Sequence, residues 1–507
     1  MTTSLRLAAI AVLLGCSNCA FAASENDWFV PLGPPPKAAP RHINGGESFP
    51  PLPLPATPLR RSERKKEPAP PKLIGKVVWG ETASFNLGEG AGDTEVSDWN
   101  LCPADLQSIM KKSGQVLGVR YGAETVNLSA FDGDPAKMAA LYISGTRSLR
   151  MDADQLTKLR AYVQRGGTVV FDSVAGSPYF YDSVRAVLDK LFPDEALRTI
   201  PKDHPLYHLA ADVDKATFPK NSPGDQPLLE GIYVGCRVGV LVSKYGLGCG
   251  WDDREVPHLQ QAVYYDVDTA SRLGVNLVAY VIGYAEVGLE EAKPELFGAA
   301  DQLAPTDEFV WSQLIHDGHW NVHPGGSAAL LRQVNNDLAV RASLKRVAVD
   351  PAKDDLAGRH FLYLTGLDDF TFDAKAQANL KRFLNGGGTL LINNGLGLAT
   401  FDVAVRRELA RLLPESRLAP LPADHPLFTA ALAVGEVRFT PAVVAAKPDL
   451  KQPVLEGLMV GGDLRVIYSP YDLESGWTGC EHPLCRGYER DSAMKLGLNV
   501  VVYAATH

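Results

Sequence analysis

A long internal duplication constrains this chain more than any other feature. Pro201-Lys202-Asp203-His204-Pro205-Leu206 returns as Pro422-Ala423-Asp424-His425-Pro426-Leu427, 221 positions later. The same offset aligns residues 139–207 with 360–428 without a gap, and 22 of those 69 positions are identical. The shared positions include Leu141-Tyr142 with Leu362-Tyr363, Gly145 with Gly366, and Gly166-Gly167-Thr168 with Gly387-Gly388-Thr389. Trp99-Asn100 pairs with Trp320-Asn321. After small shifts, Leu229-Glu230-Gly231 pairs with Leu455-Glu456-Gly457, Gly250-Trp251 with Gly476-Trp477, and Gly274-Val275-Asn276 with Gly497-Leu498-Asn499. A period this long excludes a solenoid, whose repeats run about 20–50 residues. It describes a whole domain of roughly 200 residues written twice.

Each copy alternates short apolar runs with amphipathic stretches. Ala139 to Gly145 suits a buried strand. Asp152 caps a helix whose stripe is Leu156, Leu159, Tyr162 and Val163, and Gly166 stops it. Thr168-Val169-Val170-Phe171 is the next strand, and a helix then runs to Leu191 before Pro193. Arg237 to Ser243 adds a late strand, and Leu273, Leu277, Tyr280 and Val281 mark a closing helix. Continuous apolar strands alternating with helices predict an α/β fold with a mainly parallel sheet covered on both faces.

The first residues read as a targeting segment. Arg6 precedes the apolar run Leu7 to Leu14, and Ala20-Phe21-Ala22 fits a signal-peptidase site. That run is too short to cross a bilayer, and no later run is read as long enough, so no transmembrane helix is expected in the mature chain. Leu13-Leu14-Gly15-Cys16 also fits a lipoprotein box that would lipidate Cys16 and anchor the chain; cleavage after Ala22 is the favoured reading. Either places the protein outside the cytoplasm, in the periplasm or cell envelope. Pro31 to Pro71 holds 13 prolines in 41 residues and suits an extended tether rather than a core. The expected organisation is therefore a signal peptide over 1–22, a Pro-rich linker over 23–72, domains over 73–286 and 307–507, and a connector over 287–306. A net charge of −9 argues against a nucleic-acid partner.

Jointly, Trp-Asn-x-x-Pro, Leu-Tyr-x-x-Gly, the Gly-Gly strand entry, Pro-x-Asp-His-Pro and Gly-Trp resemble a bacterial family known as domain of unknown function 4159. The resemblance covers about 73–285 and 307–507. It implies two tandem flavodoxin-like three-layer sandwiches, similar to the class I glutamine amidotransferase superfamily, and it implies no reaction.

In that superfamily the nucleophile stands on a strained turn between a strand and the next helix. The corresponding turns here are Asp172-Ser173-Val174-Ala175-Gly176 and Asn393-Asn394-Gly395-Leu396-Gly397, and neither contains cysteine. Ser173 would need His204 as base and Asp203 to orient it, and the second copy has Asn394 at the serine position. The flanking prolines favour instead a structural role for His204 and His425. Asp172, Ser173, Asn393 and Asn394 remain pocket candidates, because ligands of α/β sheets gather at strand carboxyl ends. Trp251 and Trp477 are candidates for lining a sugar or peptide cleft, with core packing as the simpler role.

Cys480-Glu481-His482-Pro483-Leu484-Cys485 offers three soft ligands and no second pair at zinc spacing, so a Cys480–Cys485 disulfide is expected there and no metal site. Cys236 with Cys249 is a weaker second pair. No phosphate-binding glycine loop is present, and no cofactor is expected. These readings together predict an exported, non-catalytic binding or scaffold protein with a protein or cell-envelope ligand. The alternative is an envelope hydrolase or amidase using Ser173 and His204.

Overall fold

The computed structural model describes residues 24–33, 69–86, 94–193, 195–292, 297–298, 307–479, 482 and 485–507. The expected signal peptide, the Cys16 lipid site, Cys480 and most of the Pro-rich segment lie outside these residues.

Two seven-stranded sheets organise the chain. The first holds β1 (Lys72–Val77), β4 (Gly122–Val126), β5 (Ala140–Gly145), β6 (Thr168–Ser173), β7 (Arg198–Thr199), β8 (Leu229–Val234) and β9 (Arg237–Ser243), in the order β4-β1-β5-β6-β9-β8-β7. The first five strands in that order are parallel; β8 and β7 extend the sheet antiparallel. A separate hairpin, β2 (Thr82–Phe85) with β3 (Thr94–Ser97), stands beside it. The second sheet repeats the arrangement with β10 (Ser312–Leu314), β11 (Val347–Val349), β12 (Phe361–Gly366), β13 (Thr389–Asn394), β14 (Ala419–Pro420), β15 (Glu456–Val460) and β16 (Asp463–Ser469), ordered β11-β10-β12-β13-β16-β15-β14. Counting only the parallel strands, both sheets have the flavodoxin-like order 2-1-3-4-5. The protein is thus two α/β sandwiches in tandem, and register repeats as well: Tyr142 stands beside Val170, and Tyr363 beside Leu391.

Helices cover both faces. In the first domain α1 (Asp105–Leu117), α4 (Gly248–Trp251) and α5 (Val267–Glu290) pack on one face, and α2 (Ala153–Gln164) and α3 (Pro178–Leu191) on the other. In the second, α6 (Gly326–Asp337), α10 (Glu474–Thr478) and α11 (Arg490–Thr506) oppose α7 (Ala374–Asn385) and α8 (Ala399–Leu412); α9 (Pro441–Ala446) lies on a connecting loop. Because both faces are covered, β5, β6, β12 and β13 are buried at every position, which is why their sequences do not alternate. Asp152 and Asp373 cap α2 and α7 by accepting from Gln155 N and Ala376 N. Gly166 follows α2 with φ 107°, and a Cβ there would meet the backbone of Gly288 at 2.5 Å, so glycine lets α5 pass close by.

Three expectations are corrected. The connector does not begin at 287: α5 runs to Glu290 and buries Val287. The same helix is long and apolar enough to cross a membrane by length and composition, contrary to the sequence reading. It is the core helix of the first domain, with 61% of its apolar window buried. Finally, the tether does not extend to residue 23. Residues 24–33 fold onto the first domain, burying Trp28, Phe29 and Leu32 against Val174, Cys249 and Tyr264. Apolar side chains in an otherwise proline-rich stretch were the sign of this contact.

The duplicated Pro-x-Asp-His-Pro segment forms a tight turn joined to the closing helix. Asn276 on α5 accepts from Ala210 N and Ala211 N at 2.8 and 2.9 Å and donates to Ala211 O. Asn499 on α11 does the same for Ala431 and Leu432. The domains meet closely: the first domain's core cluster continues through Val322, Leu367, Leu396, Leu398 and Cys485 of the second.

Candidate functional site

The strained turns expected from the sequence exist, with the wrong side chains for nucleophilic chemistry. Ala175 and Leu396 each have φ 55°, one turn after β6 and one after β13. A left-handed non-glycine residue between strand and helix is the backbone of a nucleophile elbow. Here the residue on display is an alanine or a leucine, and both are buried.

Ser173 and His204 are not brought together. Ser173 ends β6, and its buried Oγ has no hydrogen-bond partner. The His204 ring packs against Tyr233 and Tyr280, and Tyr280 Oη accepts from Val238 N at the start of β9. In the parallel register of β6 with β9, Asp172 stands beside Ser243, so Ser173 lies toward the end of β9 opposite to Val238. Nor does Asp203 orient His204. Its Oδ2 accepts from Ala399 N at 2.9 Å and so caps α8 of the other domain. His204 Nδ1 accepts from Leu206 N and His425 Nδ1 from Leu427 N, both at 3.2 Å, so the two imidazoles cap their own turns. Burial pulls His204 down to about 3, keeping it neutral. The serine hydrolase reading therefore loses its base and its orienting group.

The other candidates are interior. Asp172 accepts from Leu247 N, Gly248 N and Tyr142 Oη, each at 2.8 Å; burial pushes its carboxyl up to about 6. Asn393 donates to Asp472 Oδ1 and accepts from Leu473 N, while Asn394 donates to Leu398 O. Trp251 and Trp477 donate to Ala270 O and Ala493 O from inside the cores, so they do not line a cleft. The expected disulfides are also corrected: Cys236, Cys249 and Cys485 are free buried thiols. Cys485 Sγ lies 3.1 Å from Ser475 Oγ, and the Cys102 thiol is pushed up first by a hydrogen bond with Cys249 and then by burial.

What opens instead is the switch-point crevice of the second domain. A cleft of about 1040 Å³ lies at the carboxyl ends of β10, β11 and β12 and is closed on its far side by the first domain. Five carboxylates line it, from Asp189, Glu195, Asp317, Asp350 and Asp373, against the one guanidinium of Arg198. Tyr233, Trp320, Phe192 and Phe372 supply aromatic wall, and the Tyr233 hydroxyl is buried without a partner. Burial pulls His316 down to about 4. Arg198 spans the cleft to the Asp317 carbonyl and Asp368, and His319, at φ 63°, donates from Nε2 to Gly235 O, 2.7 Å away. The same crevice in the first domain is filled. Arg147 pairs with Asp98 beneath the Phe29 ring, and Ser148 N donates to Glu25.

A second feature lies between the domains. Cys236, in the turn joining β8 to β9, and Glu291, at the end of α5, meet His323 and His482 of the second domain, with one donor atom of each inside a 4.8 Å sphere of mutual distances. Among the described residues, these four are the group placed to hold a metal. Sequence reading missed Cys236, Glu291 and His323, because no two of the four stand at metal-ligand spacing. One signal was present: in the duplicated Trp-Asn-x-x-Pro segment, Cys102 of the first copy becomes His323 in the second.

The family described as Domain of unknown function (DUF4159) matches the chain twice, over residues 92–282 and 310–505, one match for each sandwich. The chain belongs to this family, as a tandem repeat of its domain. No curated protein matches it.

Proposed function

We propose that this chain, two DUF4159 domains in series, is an exported, non-catalytic binding protein whose ligand seat is the cleft between its domains. One observation carries the non-catalytic reading. Both strained turns keep the elbow backbone and present Ala175 and Leu396, which have no group able to attack a substrate. Export rests on the signal-like segment from Arg6 to Ala22.

The cleft's chemistry indicates its ligand. Five carboxylates against one guanidinium favour a cationic group, and the aromatic walls favour a flat or apolar side chain beside it. A basic segment of an envelope protein, Lys or Arg next to Tyr or Trp, has both properties. Residues 24–33 pack over the first domain's crevice, which supports placing the ligand seat at the second domain's crevice.

Fluorescence anisotropy tests this with a labelled Lys/Tyr-rich peptide and its Glu-substituted counterpart. The basic peptide is expected to bind, more weakly at high salt, and Asp189→Asn with Asp317→Asn is expected to weaken it about tenfold. Equal binding of both peptides, or none of the basic one, overturns the reading. Covalent labelling of Ser173 by a serine-hydrolase probe overturns its non-catalytic half.

A further inference from the structure

We propose that Cys236, Glu291, His323 and His482 form a closed, four-ligand zinc site that staples the two domains together. Their donor groups make four close contacts. Cys236 Sγ is 3.1 Å from Glu291 Oε2 and 3.3 Å from His482 Nδ1. Glu291 Oε1 is 3.3 Å from His323 Nδ1 and 3.3 Å from His482 Nε2. These contacts use both Glu291 oxygens and both His482 nitrogens; with one donor atom taken from each residue, all four lie within 4.8 Å of one another. A zinc tetrahedron with bonds of about 2.0–2.3 Å puts its ligand atoms roughly 3.3–3.8 Å apart, so the four side chains close in slightly around the ion.

The cluster has the features of a built site. His323 and His482 side chains are fully buried and Glu291 nearly so. His482 Nε2 lies inside the protein, makes no hydrogen bond and stands 3.3 Å from Glu291 Oε1, which leaves a buried nitrogen with its bonding unmet. His323 is oriented from behind: its Nε2 is 2.7 Å from Asp472 Oδ2, which fixes the ring and leaves Nδ1 toward Glu291 and Cys236. A carboxylate behind a histidine ligand is the usual support of a metal-bound imidazole. A second cavity, about 470 Å³, reaches His482 and Cys485 and gives an entry path.

One thiolate, one carboxylate and two imidazoles in a four-fold set suit Zn²⁺ and not Mg²⁺ or Ca²⁺, which take oxygen ligands. With all four positions taken by protein, no open coordination site is left for substrate, so the role is structural.

The ligands come from both halves of the chain, and Cys236 adjoins Gly235, whose carbonyl holds His319 at the cleft. Occupancy therefore fixes the wall of the binding seat, yet the site stands independently of what that seat binds.

Metal analysis of the purified full chain is the test. One zinc per chain is expected, with a higher thermal midpoint than after chelation. Replacement by Co²⁺ is expected to give the intense tetrahedral visible spectrum and a thiolate charge-transfer band. Cys236→Ser should remove that band, and His482→Gln should lower zinc affinity at least tenfold. Circular dichroism of each variant reports folding, and the wild-type cobalt spectrum needs no variant at all. Substoichiometric zinc, an octahedral cobalt spectrum, or unchanged affinity in folded Cys236→Ser overturns the proposal.

Discussion

His323 Nε2 and Asp472 Oδ2 stand 2.7 Å apart, with both side chains fully buried. The pair has no counterpart in the first domain, where Cys102 takes the histidine's place. Burial opposes the Asp472 charge, yet His323 holds the carboxyl well below the ordinary range. Asp472 also accepts from Leu396 N on the strained turn, so it joins that turn to the interdomain cluster. Asp472→Asn leaves the shape and removes the charge. It is expected to cost about 3–5 kcal/mol of second-domain stability, read from calorimetry, and to lower zinc affinity about 10–100-fold.

Ser173→Ala separates a structural from a catalytic serine. The hydroxyl is buried and unpartnered, so its removal is expected to leave stability unchanged or raise it by up to about 1 kcal/mol. A loss of more than 1 kcal/mol in thermal or denaturant unfolding would contradict the absence of a partner.

Asp172 gives the first domain a pH dependence of definite sign. Burial raises its folded carboxyl to about 6, against 3.8 for the free group. Between these values the native state holds a proton that the unfolded chain has released, so stability is greatest below about pH 4. It falls by roughly 3 kcal/mol as pH rises through 6. Unfolding transitions recorded from pH 4 to 8 should show this decline, and Asp172→Asn should flatten it.

Asp203 and Asp424 hold matching positions with different partners. Asp203 caps α8 across the interface, whereas Asp424 is exposed. Asp203→Ala is expected to cost about 1 kcal/mol and to speed proteolysis between the domains. Asp424→Ala is expected to change stability by less than about 0.5 kcal/mol. Equal effects would show that the Asp203 contact does not couple the domains.

Gly274 explains the repeated Gly-x-Asn on the closing helices. A Cβ there would meet Ile109 Cδ1 at 2.5 Å and Trp251 Nε1 at 2.6 Å. Gly274→Ala is expected to destabilise the first domain by about 1–3 kcal/mol through overpacking, despite alanine's better helix propensity. Urea unfolding measures it.

Much of the fold was legible because it depends on local pattern. Asp152 before an amphipathic stripe, Gly166 after it, and unbroken apolar runs at 139–145 and 168–171 report elements through spacing alone. The antiparallel β7 and β8 and the hairpin β2–β3 were not legible, since short strands carry little periodicity and their pairing is set by distant residues. The candidate site was less legible still. Cys236, Glu291, His323 and His482 come from four separate segments, and the loop around His482, read by itself, suggested a disulfide.

The sequence by itself determined the duplication, the α/β class and the absence of cysteine at both strained turns, because each is a property of order along one strand or repeat. Only the tertiary structure decided which crevice stays open and which is plugged by residues 24–33. It alone left Ser173 without a partner while His204 capped its own turn, and it alone drew four scattered donors into one buried cluster. Those outcomes depend on how two copies of one fold pack against each other, and packing brings together residues whose separation in the chain carries no trace of their contact.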